Sequence, residues 1–232
     1  METILREGFA QMGLTVPENA PDLLWGYYEY LTERNQVMNL TAIEGEEDTA
    51  RLHFLDCAAL LRYVPLEGKR LLDVGSGAGF PGLVLKILSP GCHITLLDSL
   101  QKRVTFQQEV CDKLNLTDIR CIAGRVEEVA DIRGRFDVVT SRAVARLNVL
   151  CEFCLPMAKV GGVFAALKGP MPEEELEEAA KAIRTLGGKL EKVEKYTVPG
   201  TDATHSVVII RKVAPTPAKY PRRFAQIKKQ PL

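Results

Sequence analysis

The stretch Leu71-Leu72-Asp73-Val74-Gly75-Ser76-Gly77-Ala78-Gly79-Phe80-Pro81-Gly82 decides the fold of this 232-residue chain. The apolar residues before Gly75 predict a short buried strand, and the residues after Pro81 follow a helical pattern. The glycines therefore lie at a strand-to-helix turn. Because glycine adopts backbone angles that other residues avoid, such a turn lets a ligand approach the main chain closely. We interpret the stretch as a cofactor-binding loop.

Two cofactors are compatible with this loop. Residues 77–82 match the dinucleotide pattern G-x-G-x-x-G, and Asp98 ends the next predicted strand sixteen residues beyond Gly82, near the position of a ribose-binding acid. Asp73, however, stands two residues before the first glycine, where its charge would repel a pyrophosphate and suit the ammonium group of S-adenosylmethionine. The loop therefore favours S-adenosylmethionine, and an NAD-dependent oxidoreductase is the alternative.

The rest of the chain alternates between short apolar runs and helical patterns. Apolar runs cover residues 70–74, 93–97, 119–123, 136–140 and 163–167, and helices are expected after Pro81 and at about 100–114, 147–158 and 172–186. This alternation predicts an α/β fold, with a parallel sheet covered by helices on both faces. Residues 189–198 and 206–211 are joined by a loop too short for a crossover helix, so we expect antiparallel neighbours there.

The chain divides into three regions. Apolar residues at helical spacing around 23–31 and an amphipathic run at about 46–63 predict an N-terminal helical region over residues 1–65. Residues 66–212 hold the alternating pattern of a Rossmann-like domain. Residues 213–232 form a tail that prolines interrupt, so it cannot be a long helix or a central strand.

The net charge of zero hides an uneven distribution. Residues 1–50 carry ten acidic and two basic side chains, residues 51–210 are nearly balanced, and residues 211–232 carry seven basic and no acidic ones. A local basic surface that also holds Tyr220 and Phe224 suits phosphate contact and base stacking. A disordered basic end that improves solubility is the alternative.

Composition limits the class of protein. With 46% hydrophobic and 26% charged residues, the chain is typical of a globular protein. It has no apolar run long enough for a membrane span and no signal-peptide pattern. Cys151 and Cys154 have zinc-like spacing without a second ligand pair, so we expect no metal site. We expect a cytoplasmic protein, and a monomer because no heptad pattern demands an oligomer.

Seven short blocks occur in order along the chain. They are Asn39-Leu40-Thr41-Ala42, His53-Phe54-Leu55-Asp56, the glycine loop, residues 97–103, Arg125-Val126-Glu127, residues 140–145 and Ala166-Leu167-Lys168-Gly169. The set resembles the bacterial small-subunit ribosomal RNA guanine-N7 methyltransferase family, also called glucose-inhibited division protein B. The match runs from about residue 35 to the tail, where residues 224–226 replace a stretch that contains glycine and proline in the family.

The resemblance implies a fold and a reaction. The fold is a class I S-adenosylmethionine-dependent methyltransferase domain, Rossmann-like, with a seven-stranded, mostly parallel sheet, one antiparallel strand and a small N-terminal helical region. The reaction is methyl transfer to N7 of a guanine in 16S rRNA of the small ribosomal subunit or its precursor. Because N7 carries a free lone pair at neutral pH, positioning is the main demand and no general base is needed. A non-enzymatic RNA-binding or ribosome-assembly module is a further alternative.

The resemblance also implies which residues bind S-adenosylmethionine. The expected cofactor residues are Asp73, Gly75, Gly77, Gly79, Phe80, Asp98, Ser99, Leu100, Val126, Glu127 and Arg142. Residues 98–100 are expected to meet the ribose and adenine, and Val126 and Glu127 to flank the adenine. Considered without the family, Phe80 could instead pack between helix and sheet, and Glu127 could begin a solvated helix.

Four residues are expected at the reacting end of the site, namely Asn39, His53, Arg142 and Lys168. Arg142 follows the fourth strand, and we expect it to orient the cofactor or the guanine O6. His53, one helical turn before Asp56, is expected to line the site, and Lys168 to contact a phosphate or a base. The alternatives are a surface ion pair for Arg142, a structural role for His53 and capping of the next turn for Asn39.

Overall fold

The computed structural model describes residues 1–232 as a seven-stranded sheet with helices on both faces. The strands are β1 Arg70–Val74, β2 His93–Asp98, β3 Ile119–Ala123, β4 Phe136–Arg142, β5 Ala158–Lys168, β6 Gly188–Thr197 and β7 Thr204–Lys212. The helices are α1 Glu2–Gln11, α2 Ala20–Met38, α3 Glu46–Asp48, α4 Asp56–Ala58, α5 Gly82–Leu88, α6 Gln101–Lys113, α7 Leu147–Cys154, α8 Glu173–Thr185 and α9 Phe224–Lys229. Every strand that the sequence predicts is present.

The strand order decides between the two cofactor folds. The order is β3-β2-β1-β4-β5-β7-β6, in which β1 to β5 are parallel and β7 is antiparallel to both of its neighbours. The antiparallel pairing of β6 with β7 is therefore confirmed. A dinucleotide-binding sheet has the order 3-2-1-4-5-6 without this inserted strand, so the sheet does not support the NAD-dependent alternative. The expected fold class, α/β with one antiparallel strand and an N-terminal helical region, is confirmed.

The sheet separates two apolar cores. Neighbouring residues of a strand face opposite sides. Accordingly, Leu71 belongs to a core that includes side chains of α1, α2, α5 and α6, whereas Leu72 belongs to a core that includes side chains of α7 and α8. The N-terminal helices thus share one core with the sheet. None of the helices combines the length and the apolar character that crossing a bilayer requires.

Residues 46–62 form one continuous helical segment with an irregular centre. Between α3 and α4 lies a π-helix at Thr49–Leu55, and the segment ends in a 3-10 turn at Ala59–Arg62. The sequence predicts a regular amphipathic helix here, because apolar spacing does not distinguish a π-turn from an α-turn. The wider turn shifts the side chains that follow it, and π-turns are frequent at functional sites. His53 lies within this π-helix and is buried.

The tail packs against α7 on the second core. Tyr220 and Ile227 are buried, and Arg222 donates to Glu152 of α7 from two nitrogens at 2.8 and 2.6 Å. The only helix in the tail is the short α9. Because the N-terminal helices and the tail both share a core with the sheet, the division into 1–65, 66–212 and 213–232 stays a prediction from sequence.

Candidate active site

A cavity of about 850 Å³ opens at the carboxyl ends of the parallel strands, the usual ligand position in an open α/β sheet. One part, the glycine-loop half, is lined by Gly75–Ala78, Phe80, Asp98, Ser99 and residues 124–127. The other part, the arginine half, is lined by Leu40, Thr41, Ile43, Leu52, His53, Asp56, Arg142, Lys168, Glu175, Tyr196 and His205. The two halves form one continuous space.

Neighbouring side chains hold the glycine loop in place. Gly75 has φ of 72°, and a side chain there would collide with Val144. Gly77 has φ of 58°, and no atom lies within 4 Å of the position its Cβ would take, so its main chain is open to the cavity. Fully buried Gln107 donates from Nε2 to Ser76 Oγ and to the Gly77 carbonyl, at 2.8 Å each. The loop presents accessible main chain on a fixed support.

Asp98 at the end of β2 joins the glycine loop to the next loop. Its Oδ2 accepts the N–H of Gly77 at 2.9 Å and lies 3.4 Å from Arg103, and its Oδ1 accepts the N–H of Leu100 at 2.9 Å. Oδ1 retains a free lone pair, because a carboxylate oxygen accepts two hydrogen bonds. Asp98 therefore faces the cavity with capacity for the hydroxyl groups of a ribose.

Asp73 is placed differently from the expectation that it meets an ammonium group. Its side chain is fully buried, does not line the cavity, and accepts the N–H of Gly82 at Oδ2 at 2.8 Å. Burial raises the pKa of this carboxyl well above its usual range. Asp73 lies beneath the start of α5, so in this structure it fixes the first turn of that helix.

The loop after β3 supplies an apolar wall and a hydrogen-bond acceptor. Val126 is buried and lines the cavity, and Glu127 lines it beside Val126. The Oε1 atom of Glu127 is buried without a hydrogen-bond partner. Since buried polar atoms are normally paired, a ligand with an N–H or O–H donor would satisfy this oxygen.

Arg142 is the centre of the arginine half. Its Nη1 donates to Asp56 Oδ2 at 3.1 Å and to the Leu52 carbonyl at 3.2 Å, and its Nη2 lies 2.7 Å from His53 Nδ1. The guanidinium also lies over the ring of Phe80, with Cζ 5.0 Å from the ring centroid. Only 15% of the side chain is exposed, so this cation is held inside the cavity wall.

His53 is neutral and its tautomer is determined. Because an arginine only donates, Nδ1 of His53 accepts from Arg142 and the ring proton is on Nε2. Burial, followed by the charge of Arg142, lowers the pKa of His53 to about 3. The imidazole stacks on Phe80 with 4.2 Å between ring centroids. The arginine half is thereby linked to the glycine loop.

The carboxylate of Asp56 accepts hydrogen bonds from three side chains. Besides Arg142, it accepts from the hydroxyl of Tyr196 at 2.7 Å and lies 2.6 Å from Nδ1 of His205. Burial raises the pKa of Asp56, but the His205 hydrogen bond and the Arg142 charge outweigh it and the net pKa is lowered. The hydrogen bond to Asp56 raises the pKa of His205. Asp56 is thus an ionised anchor that accepts from three side chains.

The hydroxyl group of Thr41 has no acceptor for its proton among Arg142, His53, Asp56 and the residues bonded to them. Its Oγ1 accepts from Nε2 of His53 at 2.7 Å and from the N–H of Ile43 at 3.0 Å. A hydroxyl oxygen has two acceptor sites, so both are used and its own proton must be donated elsewhere. Thr41 lines the cavity, and its proton is available to a ligand there.

Lys168 lies in the same half at the end of β5. Its Nζ lies 2.7 Å from Oε2 of Glu175 and donates to the carbonyl of Ala145 at 3.1 Å. Its side chain is 12% exposed, which places the charge at the wall of the cavity and not on the outer surface. A contact between Lys168 and a phosphate or base stays a prediction.

The structure gathers most of the expected residues around one space. Those that line it are His53, Gly75, Gly77, Phe80, Asp98, Ser99, Val126, Glu127, Arg142 and Lys168. Four do not, namely Asn39, Asp73, Gly79 and Leu100. Asn39 ends α2 in a left-handed conformation with φ of 50° and is exposed, and its role stays a prediction. Leu100 is 44% exposed at the start of α6, and Gly79 lies under Leu83 and Tyr27.

Sequence reasoning missed several lining residues. Tyr196 and His205 come from β6 and β7, and Phe153 and Phe224 come from α7 and α9. None of them stands in a motif, since only the folding of distant segments brings them to the cavity. Thr41 stands in one of the seven blocks, so that block offered a signal for it.

This chain is similar to known proteins over most of its length. The family model described as GidB, rRNA small subunit methyltransferase G, matches residues 21–205. A protein of Alkaliphilus oremlandii with the name ribosomal RNA small subunit methyltransferase G is 44% identical over 237 residues, covering 100% of this chain and 99% of the relative. One of the same name from Clostridium botulinum strain Loch Maree is 49% identical over 210 residues, covering 89% and 88%.

Solved structures agree on the fold alone. TYW2 of M. jannaschii, solved in complex with AdoMet, has a TM-score of 0.58 at 14% identity, covering 74% of this chain and 80% of that one. The matched family model and the relatives, which align over nearly their whole length, show more than the fold. This chain belongs to the rRNA small subunit methyltransferase G family.

Proposed function

We propose that this protein transfers the methyl group of S-adenosylmethionine to N7 of a guanine in 16S rRNA of the small ribosomal subunit. The observation that carries the proposal is the single cavity in which an accessible glycine loop and a buried arginine cluster face the same space. The family membership supplies the class of substrate. The reaction takes place in the cytoplasm, where this substrate is assembled.

The residues of the glycine-loop half fit S-adenosylmethionine. The open main chain at Gly77 accommodates a close ligand, and Asp98 retains acceptor capacity for ribose hydroxyls. The unpartnered oxygen of Glu127 would accept from a donor such as the exocyclic amine of adenine. When bound, the cofactor supplies an electrophilic methyl group on a sulfonium. We assign its binding to Gly75, Gly77, Phe80, Asp98, Ser99, Val126 and Glu127.

The arginine half is suited to positioning and not to proton removal. Because N7 of guanine carries a free lone pair at neutral pH, it would accept a methyl group without losing a proton, so the site needs no general base. His53 has Nδ1 occupied by Arg142 and a pKa of about 3, and Asp56 is engaged by three donors. Because the pKa of each group is lowered, both are weak bases. Arg142 and Thr41 instead offer donors that would orient a guanine by its O6 edge.

The test is methyl transfer to ribosomal particles from cells that lack this protein. Incubation with labelled S-adenosylmethionine, followed by mapping of the modified nucleotide, should give one 7-methylguanosine in the small-subunit rRNA. Parallel reactions with naked rRNA, a small-subunit precursor and the mature subunit identify the particle that is recognised. Binding of the RNA without incorporation of label would favour a non-enzymatic assembly role and overturn the proposal.

A further inference from the structure

We propose that the C-terminal segment, residues 220–232, places Phe224 in the wall of the cofactor cavity, where Phe224 and Arg125 cover the purine of S-adenosylmethionine. This inference rests on the proposed function, because it concerns the cofactor of that reaction. It gives the tail a part in the methyltransferase site itself. The sequence alone suggests for this segment only RNA contact or a solvated basic end.

The tail is held firmly enough to be a wall. Arg222 forms a 2.6 Å ion pair with Glu152, whose side chain is fully buried, and Arg222 also donates to the carbonyl of Gln230 at 3.1 Å. Tyr220, which precedes Phe224 in the chain, is 8% exposed, and Ile227, which follows it, is fully buried. The chain is therefore fixed before and after Phe224, so the position of that ring is determined.

Phe224 lines the cavity at the loop after β3, where the adenine is expected. Its ring stacks on Phe153 of α7 with 6.2 Å between centroids and 13° between planes, and Cζ of Arg125 lies 4.7 Å from its centroid. Arg125 directly precedes Val126 and Glu127, and all three line the same cavity as Phe224. The loop after β3, which is expected to flank the adenine, thus contacts the tail.

The chemistry of this group suits a flat heteroaromatic ring. Phe224 is 38% exposed, so part of the ring faces open space, although Phe153 and Arg125 already cover other parts of it. An aromatic ring and a guanidinium both stack on the face of a purine. The unpartnered Glu127 Oε1 beside them would accept from the purine edge. Apolar faces next to one buried acceptor match adenine.

The experiment measures cofactor affinity and not activity. Titration calorimetry with S-adenosylhomocysteine and with 5′-methylthioadenosine compares the wild type with Phe224→Ala and Arg125→Ala. Both ligands carry the purine, so each variant should raise both dissociation constants by a similar factor, about 3- to 20-fold. Phe224→Tyr keeps the aromatic face and should stay within about 2-fold of the wild type. Gln226→Ala, an exposed change in the same helix that does not line the cavity, is the matched control and should leave both dissociation constants unchanged.

The outcomes separate the possible failures. Unchanged affinity in Phe224→Ala with weaker rRNA binding would mean that the ring stacks on RNA, and the inference would be overturned. A loss of affinity in Phe224→Ala and equally in Gln226→Ala would indicate a general loosening of tail packing, which also overturns it. A wild type that binds neither ligand would contradict the proposed function itself. Arg125→Ala leaves the tail sequence intact, so it keeps the test decisive if Phe224→Ala loosens the tail.

Discussion

The Nη2 atom of Arg142 lies 2.7 Å from Nδ1 of His53, and both side chains lie against the ring of Phe80. Phe80 belongs to the glycine loop, whereas His53 comes from the π-helix of the N-terminal region. The three side chains therefore connect the glycine-loop half of the cavity to the arginine half. A substrate held by one half is placed relative to a cofactor held by the other.

Replacing Arg142 with lysine should abolish most methyl transfer while the fold is retained. The planar guanidinium donates to Leu52, Asp56 and His53 in three directions, and a single ammonium cannot reproduce that fork. A misplacement of about 1 Å can cost roughly 100-fold in rate, so we expect at least that loss. Single-turnover transfer at saturating cofactor measures the effect, and circular dichroism verifies folding.

Arg146→Lys is the control for this change. Arg146 stands four residues later, in an exposed ion pair with Glu178. Exposed ion pairs contribute little to stability, so this variant should transfer at the wild-type rate. Wild-type transfer by Arg142→Lys would refute the positioning role and return Arg142 to a structural ion pair.

Thr41→Val should slow transfer by roughly 10-fold without changing the affinity for S-adenosylhomocysteine. It removes the hydroxyl donor that faces the cavity and would leave the guanine O6 without this partner. Thr41→Ser keeps the hydroxyl and should remain close to the wild type. An RNA with 2-aminopurine at the target position retains N7 but lacks O6. If Thr41 donates to O6, the wild type and Thr41→Val should act on this RNA at similar rates. An unchanged difference between them would exclude that contact.

The stability of the protein should fall as the pH drops below about 6.5, and His53 should account for part of the fall. Its pKa is about 3 in the folded protein, so between 6.5 and 3 the unfolded chain binds a proton that the folded chain does not. Stability therefore decreases towards acid, by at most about 1.4 kcal/mol per pH unit from this group. Urea unfolding from pH 7.5 to 4.5 measures the slope.

His53→Asn isolates this contribution. The amide oxygen of asparagine can replace Nδ1 as the acceptor for Arg142 but does not titrate. The variant should therefore show a shallower acid slope than the wild type. His205 has the opposite sign: its pKa is raised, so its contribution is present below 6.5 and is lost as the pH rises through the raised value. Equal slopes in the wild type and His53→Asn would contradict the assignment.

The sequence predicts the local features of the fold well. The spacing of apolar residues gives β1 and β3 with the bounds that the structure has, and the glycines between β1 and α5 mark the loop that opens to the cavity. These features depend on residues close together in the chain. The antiparallel pairing of β6 and β7 is also predictable, because their loop is too short for a helix.

The less predictable part of the site depends on distant contacts. His205 meets Asp56 across 149 positions of sequence, and Tyr196 meets it across 140, so no motif contains either pair. Asp73 shows that a residue inside a motif can also be placed differently from what the motif suggests. Its position in the glycine motif suggests a ligand contact, which stays a prediction, whereas in the structure the side chain is fully buried and accepts the N–H of Gly82. Orientation at a strand end is decided by packing and not by motif.

The charge of the tail should be tested by neutralisation and not by deletion. Residues 211–232 hold seven cations, of which Arg211 and Lys212 belong to β7. Arg211 pairs with Glu191, Arg222 pairs with Glu152, and Lys212 is buried with a pKa lowered to about 8. Deleting residues 213–232 would also remove Phe224 from the cavity wall and so confuse RNA binding with cofactor binding. The exposed cations, Lys219, Arg223, Lys228 and Lys229, are the ones available to phosphates.

Changing Lys228 and Lys229 together to glutamine should weaken rRNA binding and reduce its salt dependence. For every phosphate that the protein no longer neutralises, the slope of log affinity against log salt becomes shallower by about 0.7 to 0.9. The affinity for S-adenosylhomocysteine should not change, because both side chains are exposed and neither lines the cavity. Arg211→Gln, which removes a cation already paired with Glu191, is the control. If the double variant and this control have the wild-type slope, the tail does not bind RNA and its charge serves only solubility.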